Sequence, residues 1–171
     1  MAFDNPLTRY RQMVKKILSE NLDTRIDNES DEHAVVLIDE LIRHAKKTVK
    51  IYCRKFSSDI WGRTCVFDAV VNALEDSVKF HVLTQEHPEE SDTQHIISAV
   101  TGCEFRLYSG EAFEINFILV DDEAFRVEPN FDCRHGFAYA KNEEMSFLLA
   151  QSFEAMWYLG VSPTIGSIKN S

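Results

Sequence analysis

The sequence predicts an α/β fold: a mixed, mostly parallel β-sheet flanked by helices. Three observations carry the prediction. Strand-like and helix-like segments alternate from about residue 48 onward. Two apolar runs, 113–120 and 124–127, are joined only by Asp121, Asp122 and Glu123, too short a link for a helical crossover, so they pair as a hairpin and make the sheet mixed. The third is composition. With 44% hydrophobic residues, 12 Phe, 27% charge and only 6 Gly and 4 Pro, the 171-residue chain has the profile of a packed globular protein. One domain of this length buries roughly two thirds of its unfolded surface without a disulfide or metal staple.

The elements follow in order. Over residues 5–20, Leu7, Tyr10, Met13, Val14, Ile17 and Leu18 recur every three or four positions and define one helical face, with Pro6 in the first turn. Residues 21–30 are polar and read as a linker. Asp31 can cap a second helix that presents Val35, Ile38, Leu41, Ile42 and Ala45, with Lys46 and Lys47 complementing its C-terminal dipole. Strands are expected over 48–53, 78–83 and 104–107, alternating with helices over 66–74 and 93–100. After the hairpin, residues 135–140 suggest a short strand. Asn142 then caps a long helix carrying Met145, Phe147, Leu148, Leu149, Phe153, Met156 and Trp157, which Gly160 ends. The organisation expected is an N-terminal helix and linker over 1–30, an α/β domain over 31–160 and a loosely held tail over 161–171.

Charge and cysteine usage narrow the function classes. The net charge is -10, but residues 1–55 carry a net +2 and residues 56–171 a net -12. Broad binding to nucleic acid or to an anionic membrane through a basic face is therefore not expected. No stretch approaches the ~20 apolar residues of a membrane span, and residues 1–10 lack an apolar signal core, so a cytoplasmic location is expected. Cys53, Cys65, Cys103 and Cys133 lie far apart, without zinc-ligand or disulfide spacing, and read as reduced thiols. Neither a metal nor a cofactor is called for.

The order helix, strand, helix, strand, helix, strand, hairpin, long helix resembles one half-unit of the phospholipase D-like superfamily. More specific is Glu114-Ile115-Asn116-Phe117-Ile118-Leu119-Val120-Asp121, which has the register of that family's HxK motif with an Asp after four further residues. After the hairpin, Val127-Glu128-Pro129-Asn130 stands where the family has a small Gly-Ser element and an Asn, and keeps only the Asn type, one position early. In the family the His attacks phosphorus and the Lys neutralises phosphoryl oxygens. Here Glu114 replaces the His, Asn116 replaces the Lys, and Asp121, a supporting residue in the family, is kept. The resemblance thus implies a degenerate motif, Glu114, Asn116, Asp121 and Asn130, without phospholipase D-type catalysis. Because single-motif members resemble half of a two-fold unit, it also implies a homodimer.

In open α/β sheets the functional crevice lies beyond the carboxyl ends of the strands. Arg54, Lys55, Ser57, Asp59 and Trp61 follow the first strand, and Thr84, Gln85, Glu86 and His87 follow the second, so both groups are expected there. Arg54 and Lys55 suit an anion and Trp61 offers an aromatic face, while His135 is a further candidate. His81 and His95 lie inside a strand and a helix and read as structural. No G-x-S-x-G elbow and no phosphate-binding glycine motif is present, and the acidic run 121–123 reads as a turn more readily than as a cation site. The leading expectation is a catalytically inactive phospholipase D-like module in a bacterial or phage setting, binding an unidentified protein or anionic ligand. The alternatives are a divergent phosphodiesterase or nuclease using Glu114, His87 or His135, and an acidic inhibitor that imitates a nucleic-acid backbone.

Overall fold

The computed structural model describes residues 5–86, 102–111, 113–130 and 134–162. Its elements are α1 (Pro6–Ser19), β1 (Ile26–Asn28), α2 (Asp31–His44), β2 (Thr48–Cys53), α3 (Ser58–Trp61), α4 (Thr64–Glu75), β3 (Lys79–Thr84), β4 (Cys103–Leu107), β5 (Asn116–Val120), β6 (Ala124–Glu128), β7 (Gly136–Tyr139) and α5 (Glu143–Leu159). The strands form one seven-stranded sheet in the order β1-β7-β6-β5-β2-β3-β4. The sheet is mixed, as expected. Five of its seven strands point the same way, yet only β2–β3 and β3–β4 pair in parallel, and the other four pairings are antiparallel. The helix expected over 93–100 lies outside the described residues.

Two expectations are corrected. The polar stretch 21–30 is no plain linker: Ile26–Asn28 forms β1 and pairs with Gly136–Ala138 at the sheet edge. Ile26, only 1% exposed, anchors it, a single apolar residue too isolated to show a period-two pattern. The second helix is capped by Ser30, whose Oγ accepts the His33 N–H at 3.1 Å, and Asp31 sits one step inside. There, with Glu32, it complements the helix dipole. Asn5 caps α1 and Asn142 caps α5 in the same way, each side-chain oxygen accepting a backbone N–H.

Period-two alternation divides the core. Val49, Ile51, Ile118, Val120, Phe80, Val82 and Phe105 point to one face and pack under α1, α2 and α4. Tyr52, Leu83, Phe117, Leu119, Phe125 and Val127 point to the other, where Leu149, Phe153 and Met156 of α5 cover them. Charged groups fasten the helices at their edges. Arg11 of α1 pairs with Asp39 and Glu40 of α2, and Arg43 reaches Asp39 at 2.7 Å, so these two buried carboxylates are satisfied. Lys50 on β2 meets Asp122 at 2.7 Å and Glu154 of α5 at 2.8 Å. Burial alone would lower its pKa, but these two carboxylates outweigh it and raise the value.

The β5–β6 hairpin turns through Asp121 and Asp122, both with positive φ (53° and 58°), and Glu123 N–H bonds Val120 C=O at 3.0 Å. This is the primed geometry whose twist suits paired strands. The Asp121 carboxylate accepts the N–H groups of Lys46, Lys47 and Thr48, each at 2.8 Å, and so ties the hairpin to the start of β2. Asp121→Ala removes three charge-assisted bonds and places a Cβ-bearing residue with no polar side chain at positive φ. A loss of about 2–4 kcal/mol is expected in urea unfolding, with Asp121→Asn losing less.

His81 on β3 is half-buried beside the Trp157 ring, with centroids 5.0 Å apart. Burial lowers its pKa below 6.5; Glu104 and Glu154 oppose the shift, while Lys50 and Arg106 reinforce it. The unfolded chain therefore takes up this proton more readily. His81 contributes stability that is present above pH 6.5 and lost as pH falls through its folded value. His81→Gln should flatten the decline of the urea midpoint on acidification below pH 6.5.

Candidate functional site

At the carboxyl ends of β2 and β6 and the start of β5, the sheet opens into a cleft of about 290 Å³, at the small end of ligand-binding cavities. Its apolar part includes Ile38, Ile51, Cys53, Ile60, Trp61 and Ile118, and its polar part is Arg54, Lys55, Ser57, Glu86, Asn116, Arg126, Glu128 and Arg134. The site exists because β2 and β5 run antiparallel here, so the end of one strand and the beginning of the other meet at the same rim.

Cross-links between loops shape that rim. The Arg54 N–H donates to Asn116 Oδ1 at 3.0 Å, and its carbonyl accepts the N–H groups of Gln85 and Glu86. Arg54 Nε also meets Glu86 Oε1 at 2.8 Å. Ser57 Oγ accepts the Asp59 N–H at 3.3 Å and caps α3. Trp61 lies flat against Phe56, centroids 4.8 Å apart, and is only 5% exposed, so it forms wall rather than an open aromatic face.

The deepest polar group is Arg126, 3% exposed. Its Nε donates to Asn28 Oδ1, its Nη1 to Glu128 Oε2 and its Nη2 to the Arg134 carbonyl, each at 3.0 Å. Asn28 Nδ2 donates to the same Arg134 carbonyl at 2.6 Å. Burial lowers the Arg126 pKa, and Glu128 opposes the shift. Gly136 makes room for this network: a Cβ there would lie 2.5 Å from the Val127 carbonyl oxygen and 3.3 Å from both Arg126 Nη2 and Asn28 Oδ1. Arg134 closes the rim, with Nη2 at 2.9 Å from Asp59 and Nε at 3.6 Å from Asp31.

Of the residues singled out from the sequence, Arg54, Lys55, Ser57, Trp61 and Asn116 come together in the cleft, and Asp59 reaches its rim through Arg134. Thr84 is buried beside it, its hydroxyl bonded to the Glu86 carbonyl. Glu114 is exposed just before β5, Asn130 is exposed past the end of β6, and His135 is exposed before β7. Neither Thr84 nor any of these three is among the described lining residues. Asp121 sits at the far end of β5, about 17 Å from Asn116 at the rise of an extended strand. His87 and His95 lie outside the described residues.

No protein-family model matches the sequence, and no curated protein matches it either. Solved structures do match. Nuc from Salmonella typhimurium, a phospholipase D family member, aligns with a TM-score of 0.65 at 17% identity, covering 82% of this chain and 97% of that one. NucT from Helicobacter pylori gives 0.66 at 12% identity, covering 82% and 100%. The chain has the phospholipase D-like fold. TrmBL2, an archaeal chromatin protein with a novel mode of DNA binding, shares the architecture at a TM-score of 0.61 and 13% identity, covering 91% of this chain and 61% of its own.

Sequence reasoning missed the part of this cleft built by Asn28, Arg126 and Arg134. A signal existed for Arg126. On β6, Ala124, Arg126 and Glu128 share one face of a strand whose other face is Phe125 and Val127, so an Arg–Glu pair two residues apart stands alone on an otherwise apolar surface. Arg134 gave none, because its position depends on β1 pairing with β7. Arg126→Met should lower stability by about 3–5 kcal/mol, since it strands the Glu128 carboxylate. Adding Glu128→Gln should recover part of the loss in a double-mutant cycle.

Proposed function

We propose that this chain is a non-catalytic binding module on the phospholipase D-like fold, and that its cleft recognises a compact polar ligand or a partner's side chain. The carrying observation is that no described lining residue is poised to attack phosphorus. Phosphoryl transfer on this fold needs an activated nucleophile and a cation over the phosphoryl oxygens. The Cys53 thiol is buried and its pKa is pushed up to about 12, so it is no thiolate at neutral pH. The Ser57 hydroxyl caps α3. Where the resemblance expects a Lys, Asn116 offers an amide whose oxygen already holds the Arg54 backbone. Arg126 is the cation set deepest in the cleft, and Glu128, Asn28 and a carbonyl engage it.

Glu114 supports the same reading, since it is exposed and is not among the described lining residues of the cleft. The purified protein is expected to hydrolyse DNA, RNA and bis-nitrophenyl phosphate no faster than background, with or without added magnesium or manganese. Glu114→Ala should leave that baseline unchanged. Turnover above background that Glu114→Ala abolishes would overturn the proposal.

A further inference from the structure

We propose that the cleft holds a free α-amino acid with an aliphatic side chain, of the size of leucine or isoleucine. Resting on the recognition role proposed above, this ligand class follows from which polar atoms of the cleft are engaged and which are not. Asn116 on β5 and Glu128 on β6 are directly opposed. Only the oxygen of an amide accepts, so the Arg54 N–H on Asn116 Oδ1 fixes which way the amide lies, and no described residue takes the two Nδ2 donors. The Glu128 side chain is only 12% exposed, yet it gives just Oε2 to Arg126, and Oε1 has no partner among the described residues. A carboxylate this deep is stabilised by more than one bond. Arg134 turns Nη2 to Asp59 and Nε to Asp31, which leaves Nη1 without a partner among the described residues. One charged acceptor and two sets of donors therefore border the same cleft.

An α-amino acid answers these groups in charge, shape and size. Its ammonium suits Glu128 Oε1, and its carboxylate suits Asn116 Nδ2 and Arg134 Nη1. The two charges are neighbours in the ligand as Glu128 and Asn116 are across the strands, where opposed Cβ atoms lie about 5 Å apart. Further along the same face, Ile118 on β5 pairs with Ile51 on β2, and with Ile38 of α2 and Ile60 of α3 they make an aliphatic floor. A purely polar ligand leaves that floor against water, whereas a branched aliphatic side chain covers it. At the roughly 30 Å³ that one water occupies in the liquid, the 290 Å³ of the cleft holds about ten non-hydrogen atoms, which suits leucine and is too little for a nucleotide. The four lining cations are balanced by Glu86 and Glu128 in the cleft and by Asp59 and Asp31 at its rim. Among the described residues the site is thus neutral, and it matches a zwitterion better than an anion.

Calorimetric titration of L-leucine into the full chain at neutral pH should show one saturable site, and leucine should raise the unfolding temperature. Leucinamide, which lacks the carboxylate, and isocaproate, which lacks the ammonium, should each bind more weakly by about tenfold or more. Glycine, which leaves the floor uncovered, should lose about as much. Arg134→Gln keeps the backbone carbonyl that Arg126 and Asn28 use, so it should fold, and it should weaken leucine about tenfold while leaving leucinamide unchanged. Leucine that binds no tighter than isocaproate overturns the proposal, as does an Arg134→Gln variant that binds leucine unchanged. Leucinamide as tight as leucine overturns it in favour of a peptide's amino terminus. If leucine gives neither heat nor a rise in unfolding temperature, or inorganic phosphate saturates the site in its place, the proposal is overturned while the recognition role stands, with hydrolysis still at background. Hydrolysis above background overturns that role and the proposal with it.

Discussion

The seam between β2 and β5 is clamped at both ends by side chains, and the rest of the molecule is arranged around it. At one end the Asp121 carboxylate gathers three successive backbone N–H groups leading into β2. At the other, Asn116 accepts the N–H of the first residue after β2. Between them four residue pairs, Val49 with Val120 through Tyr52 with Phe117, form the antiparallel ladder. This is where the parallel half of the sheet, β2–β3–β4, meets the antiparallel half, β5–β6–β7–β1. A slip of one residue would turn Ile118 and Val120 away from α2 and send Phe117 and Leu119 off α5, so register here is worth the packing of both faces at once.

The same seam accounts for the charges set within the core. Lys50 lies on the α5 face of β2 between Tyr52 and the hairpin turn, a place where an isolated ammonium would be costly. Asp122 and Glu154 supply two carboxylates, one from the turn and one from α5, so one cation fixes the helix to the seam from which the turn hangs. On the opposite face Arg126 does similar work for the edge. It binds Asn28 of β1, Glu128 of its own strand and the carbonyl of Arg134 ahead of β7, which brings together segments about a hundred residues apart. Such pairs add little net stability over an apolar core, but they penalise mispairing heavily, and an edge strand of three residues has little else to specify its place.

How much of this was legible in the sequence depends on the range of the forces involved. Helix faces were readable because α1, α2 and α5 repeat apolar residues at helical spacing, and the hairpin was readable because three acidic residues separate two apolar runs. The placing of Arg54, Lys55 and Ser57 followed from a rule about strand ends alone. What could not be read was set by partners distant in sequence. β1 has one deeply buried apolar residue and exists because β7 offers it a ladder. The cleft wall needs Arg134, which stands there only once that ladder has formed. Trp61 was readable as an aromatic after a strand, but its stacking on Phe56 depends on the short turn of α3, too brief to leave a periodic signature.

Residue type at position 116 matters more to the chemistry of this cleft than the fold does. Asn116 and Ile118 share the cleft-facing side of β5, so a Lys at position 116 would aim its ammonium into the same space. With Asn the amide oxygen turns back to the Arg54 N–H, and the position changes from a cation facing a ligand to a brace between two loops. Glu86 and Glu128 then stand among the lining cations. At an effective dielectric of about 20, a carboxylate about 4 Å from a phosphoryl oxygen would cost about 4 kcal/mol, comparable to what one Arg at that distance returns. Arg126 is already matched by Glu128, and Arg134 and Arg54 by Asp59 and Glu86, so a phosphodiester entering the cleft would have to displace a carboxylate from each of these three guanidinium groups. A ligand that presents hydrogen-bond donors to those carboxylates as well as acceptors to the guanidinium groups meets no such opposition, which is the physical basis of the proposed recognition role.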